Sequence, residues 1–353
     1  MLVPEGLITP CLLVEAGVLE ANIAAMARRA QDLGAGLRPH AKTHKCLEIA
    51  VRQLAAGAVG LTVATVAEAE VFAAVCDDLF IAYPLWVDAR RGARLRALAE
   101  RARVRVGVDS AESAEALARH VGEAVAVVVE VDSGHHRSGV DPAQAGVVAV
   151  AASRAGLPVA GVFTFPGHSY APGSGSPAAA DEAAALTRAA ESIRAAGLPV
   201  QVRSGGSTPS AAATVAGAVS ELRPGVYVFG DSQQLELGSC LPGDVALVAV
   251  GTVVSRCADR VILDAGSKVL GADRPAWASG FGTVLGHPAA RVLALSEHHA
   301  TVHWPQALPD LGSTVAVVPN HVCNAVNLAD ELLVTDAGEV VDRWAVAARG
   351  ANT

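Results

Sequence analysis

The sequence predicts an α/β chain, a (β/α)8 TIM barrel with a C-terminal β domain, and three observations predict it. Eight short apolar runs alternate with alanine-rich amphipathic stretches between residues 37 and 229, the rhythm of strands and crossover helices in a closed parallel barrel. Beyond about residue 239 the long helical stretches give way to valine-rich alternation, the pattern of a half-buried antiparallel sheet. Apolar residues make up 52% of the chain and aromatic ones only 4%, so the core has to be Ala, Val and Leu packed between regular elements.

After an opening segment at 9–14, residues 18–33 carry helical spacing, with Leu19, Ile23, Met26 and Ala27 on one face. The eight apolar runs fall at 37–42, 60–64, 79–83, 104–108, 124–131, 159–164, 200–203 and 225–229. They are continuous rather than alternating because a parallel strand inside a barrel is covered on both faces. Between them, 46–56, 67–75, 89–101, 111–121, 143–155 and 178–196 are long enough for crossover helices. An open doubly wound sheet would place a glycine-rich dinucleotide fingerprint after its first strand; here that strand leads into His40 and Lys42. Strands of the β domain are expected at 245–254, 260–263, 291–295, 300–303, 314–318, 331–334 and 340–344. The division expected is a barrel over 10–235 and a β domain made of 236–353 together with residues 1–9.

Charge and cysteine usage narrow the function. With 35 Asp and Glu against 27 Lys and Arg, the net charge is −8, which excludes the broad positive field that nucleic acid or an anionic membrane requires. A small-molecule substrate is expected instead. The six cysteines are scattered with no CxxC pair, in a chain large enough to fold without crosslinks. There is no apolar run of membrane-spanning length and no basic amino-terminal region leading into an apolar one. A cytoplasmic protein with reduced thiols is expected.

Against this acidic background stands a compact basic octet, Arg38-Pro39-His40-Ala41-Lys42-Thr43-His44-Lys45. A lysine amine partly desolvated near other cations loses affinity for its proton and becomes a nucleophile for an aldehyde cofactor. On an extended strand Arg38, His40 and Lys42 share one face, which singles out Lys42 over Lys45. In a barrel of this kind the active groups gather at the carboxyl ends of the strands, and phosphate is held by the loops after strands seven and eight. After the seventh run comes Ser204-Gly205-Gly206-Ser207-Thr208, rich in N–H and hydroxyl donors, and after the eighth Tyr227 can add another. Arg137, between Gly134 and Gly139 after the fifth run, suits a carboxylate or phenolate oxygen. The sixth run ends in Pro166-Gly167-His168-Ser169-Tyr170, which brings an imidazole and a phenol to the same rim. In the β domain, Pro319-Asn320-His321-Val322-Cys323-Asn324 presents an imidazole and a thiolate two residues apart. On an extended segment they share one side, a pair suited to Zn²⁺ with positions left open for water or substrate. Glu297-His298-His299 offers further acid–base groups.

Through these residues the chain resembles, almost end to end, the fold-type III, alanine racemase-like pyridoxal-phosphate enzymes of the D-serine dehydratase and D-threonine aldolase group. The likeness is carried by the octet, Thr9-Pro10, residues 57–60, Glu68-Ala69-Glu70, residues 134–139, Gly167-His168-Ser169-Tyr170, Ser204-Gly205-Gly206-Ser207-Thr208, Asp264-Ala265-Gly266-Ser267-Lys268 and the His321–Cys323 segment. The resemblance implies that Lys42 holds pyridoxal 5′-phosphate through a Schiff base. It places His40, Tyr170, Ser204, Gly205, Gly206, Ser207 and Tyr227 around that cofactor, and Arg137 at the ring phenolate and the substrate carboxylate. It further implies a divalent ion, Zn²⁺ or Mn²⁺, on His321 and Cys323, His299 as an acid–base group, and a homodimer in which one subunit's β domain completes the other's barrel mouth.

Two activities then share a beginning and diverge. A dehydratase turns a D-β-hydroxy amino acid into a 2-oxo acid and ammonia; an aldolase cleaves the Cα–Cβ bond to glycine and an aldehyde. The family's dehydratases carry Cys at the second metal position and its aldolases more often Asp, so Cys323 favours a dehydratase. A racemase, or a non-catalytic pyridoxal-phosphate-binding protein, remains open on fold alone. The family pattern Ser-Glu-Glu-His-Gly is Ser296-Glu297-His298-His299-Ala300 here, a departure at His298.

Overall fold

A computed structural model describes every residue from Met1 to Thr353. The chain divides into two compact units, one made of residues 25–42, 50–225 and 351–353, the other of residues 1–24, 43–49 and 226–350. Strand β1 (Cys11–Glu15) belongs to the second because it pairs with strands from the end of the chain.

The first unit holds eight strands in the order β2, β9, β8, β7, β6, β5, β4, β3, with every neighbouring pair parallel. They are β2 (Gly36–Leu37), β3 (Leu61–Val63), β4 (Asp78–Pro84), β5 (Arg103–Val108), β6 (Ala126–Glu130), β7 (Val159–Phe163), β8 (Val202–Gly205) and β9 (Glu221–Leu222). The two ends of that order also meet. Val59 donates to the carbonyl of Leu37 at 2.8 Å and Thr62 to that of Pro39 at 2.9 Å, with a parallel bridge between His40 and Thr62. The sheet is thereby closed, leaving no strand edge to solvent. Helices at Ala89–Ala99, Ala111–Val121, Ala145–Arg154 and Gly175–Ala195 connect successive strands. Two of these crossovers start or stop on local signals: Asp88 and Ser110 cap their amino termini, and Gly122 ends the second at φ +56°.

Two expectations need correction. The eighth strand is Glu221–Leu222 and not 225–229, where Val226–Val228 forms a 3-10 turn. Pro224 has no N–H to continue a ladder, and the apolar run reflects a buried turn. The first strand likewise stops short of Lys42, which sits in the 3-10 turn Ala41–Thr43, so strand alternation does not carry as far as the lysine.

The barrel interior is partly ionic. Arg38 is 1% exposed, and its guanidinium donates to Asp78 Oδ1 at 2.8 Å and to Glu221 Oε2 at 2.9 Å. Arg105 reaches the same two carboxylates at 3.2 and 3.3 Å. Gly60 makes this possible, because a Cβ there would stand 2.2 Å from Arg38 Nη1. Nearer the carboxyl ends, Phe80 and Phe163 meet edge to face at 5.0 Å between centroids. The guanidinium of Arg223 lies over both rings, at 5.6 and 5.2 Å.

The second unit is an antiparallel system of β10 (Leu247–Cys257), β11 (Arg260–Leu263), β12 (Gly282–Val284), β13 (His287–Leu295), β14 (Ala300–His303), β15 (Thr314–Pro319), β16 (Glu331–Asp336) and β17 (Glu339–Ala345). Strands β11, β14, β13, β12, β15 and β10 follow one another, and β10 pairs back onto β11 to close a six-stranded barrel. From β10 the sheet continues through β1 and β16 to β17. Leu13, Val248, Val250, Val318 and Leu333 form one core cluster of this unit. Strand β12 has no counterpart in the sequence reading, its run being only three residues long. No helix is long and apolar enough to cross a membrane.

Candidate active site

Residues from three strand ends of the first unit converge on one aromatic ring. Phe165 follows β7, and Lys42 Nζ lies 5.9 Å from its centroid while the Arg137 guanidinium lies at 5.2 Å. The His135 ring meets it edge-on at 5.6 Å, and Tyr170 sits at 6.2 Å. Lys42 and Tyr170 are half-buried, and Arg137 is exposed. A cationic amine and a guanidinium thus flank one ring at the carboxyl rim, where barrel enzymes place their chemistry.

The loop presenting Arg137 is built by Asp132, whose Oδ1 accepts from the N–H groups of Gly134 at 2.8 Å and His136 at 3.0 Å. Its other oxygen takes His136 Nδ1 at 2.6 Å. Below it, Glu130 is buried, and burial raises its carboxyl above the usual range although Ser138 donates to it and Arg137 stands 4.0 Å away. His135 is driven the other way: burial first, then Arg137 and His168, hold its pKa below the ordinary histidine value, which keeps the ring neutral.

The 204–207 loop divides its groups. Ser204 Oγ donates to Glu221 Oε1 at 2.7 Å. Ser207 Oγ is bonded to Ser169 and Ser210, each at 2.8 Å, a cluster of buried hydroxyls. Gly206 has φ +89° and its N–H donates to Glu182 Oε1 at 2.5 Å. His40 is half-buried, its N–H on the carbonyl of Pro224 at 3.0 Å.

The remaining candidates lie in the second unit. Tyr227 is buried in the turn Val226–Val228. His298 and His299 are exposed between β13 and β14, where Ser296 N–H bonds the His299 carbonyl at 2.8 Å and His298 meets Lys268 Nζ at 3.3 Å. His321 and Cys323 do come together, joined by a side-chain hydrogen bond. They do so by a route the sequence did not suggest. His321 is the extended residue capping helix Val322–Leu328, and Cys323 lies in that helix's first turn, so helical geometry, not strand alternation, sets the pair.

Asp273, which no local sequence signal singles out, takes His321 Nδ1 at 2.5 Å and is itself held by the side chain of Asn324. This bond fixes the imidazole so that Nε2 is the nitrogen left for a ligand. Burial opposes charge on His321, yet Cys323 and Asp273 outweigh it and push its pKa up to about 11. Thr43 Oγ1 accepts from Cys323 Sγ at 3.4 Å. No third His, Cys, Asp or Glu donor joins the pair. One imidazole and one thiolate are a donor set that fits a zinc-like ion with open positions. The half-buried Lys42 amine beside Arg137 likewise fits a phosphorylated aldehyde.

A parallel barrel with this rim, carried with a mainly antiparallel β second unit, defines an enzyme of alanine racemase architecture. Residues 14–233 match the alanine racemase N-terminal domain model and residues 246–335 the putative serine dehydratase domain model. The chain is 36% identical to the D-threo-3-hydroxyaspartate dehydratase of Delftia sp., over 89% of this chain and 90% of that one. It is also 36% identical to the D-threonine aldolase of Arthrobacter sp., over 97% and 93% respectively. A Cys-to-Ala variant of D-threo-3-hydroxyaspartate dehydratase, solved in a metal-free form, superposes with a TM-score of 0.88 at 33% identity, covering 96% of this chain and 97% of that one. The chain belongs to the fold-type III, alanine racemase-like pyridoxal-phosphate enzymes, in the D-serine dehydratase and D-threonine aldolase family.

Proposed function

We propose that this protein is a pyridoxal-phosphate- and divalent-metal-dependent lyase that dehydrates D-β-hydroxy amino acids of the D-serine or D-threonine type to a 2-oxo acid and ammonia. The observation that carries the reading is the His321–Cys323 pair, oriented by Asp273, in a chain whose barrel sets Lys42 and Arg137 on one ring. Pyridoxal phosphate supplies the electron sink that acidifies the α-carbon, and the divalent ion supplies the Lewis acid that eases departure of a β-hydroxyl. Lys42 Nζ binds the cofactor and then removes the α-proton. Arg137 holds the phenolate oxygen and the substrate carboxylate, and Tyr170 and His40 line the same rim. The 204–207 loop, with Tyr227, receives the phosphate. His321 Nε2 and Cys323 Sγ hold the ion, and His299 is the acid–base group of the assembled homodimer. Within the second unit the Thr43 hydroxyl accepts from Cys323 Sγ, which supports the place of the metal ligand.

Product identification tests this directly. D-Serine, D-threonine and D-threo-3-hydroxyaspartate should yield 2-oxo acid and ammonia, and chelation should remove that activity until Zn²⁺ or Mn²⁺ is restored. Glycine and an aldehyde from D-threonine would replace this reading with an aldolase, and full activity after exhaustive chelation would sink the metal role. The Asp273→Asn variant should bind Zn²⁺ roughly 10–100-fold more weakly in a metal titration, because an amide no longer anchors the His321 ring as a hydrogen-bond-accepting anion does.

A further inference from the structure

Beneath the 204–207 loop lies a carboxyl group that this chemistry does not use. Glu182, on the helix Gly175–Ala195, is 1% exposed, and its Oε1 accepts the Gly206 N–H at 2.5 Å. A Cβ on residue 205 would stand 2.3 Å from that same oxygen. The Gly-Gly pair therefore has two jobs: Gly205 admits the carboxyl group, and Gly206 takes the positive φ that turns its N–H towards it. We propose that Glu182 is the positioning residue of the phosphate loop and takes up a proton when pyridoxal phosphate binds, so that cofactor affinity falls as pH rises past neutrality. This rests on the reading of 204–207 as the phosphate loop.

Burial pushes the Glu182 carboxyl up to about 7, with the Gly206 N–H and the Arg223 guanidinium pulling it only partly back. The other charged groups on neighbouring elements are engaged elsewhere or exposed. His168, from the turn Gly167–Tyr170, pairs with Asp181 at 3.2 Å; Arg203 of β8 donates to the Gly217 carbonyl at 2.6 Å; Arg154, ending the adjacent helix, is exposed. Arg223 is itself shared with Glu130 and Glu221. A phosphate dianion on this loop adds negative charge beside a group already balanced between its two forms, and like charges in a dry site favour the neutral acid. The protonated carboxyl still accepts from Gly206 through its carbonyl oxygen, so the loop keeps its shape and loses a charge.

The sign follows. Below pH 7 Glu182 is already neutral and binding moves no proton. Above it, binding must draw one in, and affinity weakens by up to about tenfold per pH unit. The phosphate, with its second pKa near about 6, is dianionic throughout that range and adds no slope of its own. The apoprotein is titrated with pyridoxal phosphate and separately with pyridoxal, from about pH 6.5 to 8.5, following cofactor absorbance. Any titration of Lys42 affects both ligands and cancels in the ratio of their affinities. The ratio should fall by up to about tenfold per unit above pH 7 in the wild type and stay flat in Glu182→Gln. A flat wild-type ratio, which needs no variant, overturns the proposal and leaves the cofactor reading intact, and a slope that survives in Glu182→Gln overturns it as well. A protein that binds no pyridoxal phosphate at any pH overturns both.

Discussion

Replacing Lys42 with alanine should abolish covalent capture of pyridoxal phosphate and lower turnover by at least about 10²–10⁴-fold, the range of a single proton-transferring side chain. Borohydride reduction followed by peptide mass analysis reads the capture independently of turnover, and the adduct is expected on Lys42. The octet holds a second lysine, so the experiment has a real alternative. Lys45 is 5% exposed, takes a left-handed backbone at φ +51° and donates from Nζ to Asn327 Oδ1 at 2.7 Å. An amine so held is a structural clasp, whereas Lys42 is half-buried over Phe165. Lys42→Arg keeps the positive charge beside the ring but offers no nucleophilic amine, so it should fail in the same assay while retaining the fold. An adduct on Lys45, or full activity in Lys42→Ala, would reject the assignment.

The barrel was legible because parallel strands covered on both faces must be apolar throughout, and seven of the runs counted in the sequence overlap strands that form. The eighth escaped because β9 is Glu221–Leu222, a two-residue strand with a buried carboxylate, and an apolar-run criterion is blind to a polar interior. The same blindness hid the network of Arg38, Asp78, Arg105 and Glu221, whose members lie up to 183 residues apart and meet only through barrel register. At the rim, Lys42, Arg137 and Tyr170 could be read from their places after strands. Phe165, the ring that gathers them, carried one signal, an aromatic side chain directly at a strand end in a chain with 6 phenylalanines. Glu182 sits on a helix that reads as an ordinary amphipathic crossover, and Asp273 lies 48 residues before His321; nothing local marks either. His321 and Cys323 meet by helix geometry and not by strand alternation, since two residues apart across a helix start also brings side chains together.

Arg38→Leu should be the most damaging substitution for stability, costing about 3–5 kcal/mol at neutral pH. The guanidinium is the shared cation of two buried carboxylates; removing it leaves Glu221 with Arg105 at 3.3 Å and the Ser204 hydroxyl, and Asp78 with Arg105 at 3.2 Å and the exposed Arg103 at 3.5 Å. A leucine restores some apolar contact but satisfies neither acid, and an uncompensated buried charge costs more than the pair ever contributed. Burial alone would raise the Glu221 carboxyl, yet Arg38, with Ser204 and Arg105, holds it below the ordinary range. A depressed acid contributes stability above its unfolded pKa and loses it as pH falls through the folded one. In Arg38→Leu the dominant attraction is gone, burial prevails, and the folded Glu221 binds its proton more tightly than the unfolded chain does. The deficit against wild type, measured by urea unfolding of the barrel, should therefore be largest near pH 7 and shrink steadily towards pH 5. Glu221→Gln in the Arg38→Leu background should recover part of the loss at pH 7 and little at pH 5, because at the lower pH the proton has already done what the amide does. A deficit independent of pH would mean that the arginine acts by filling space, and that the charges in the barrel floor are incidental to its stability.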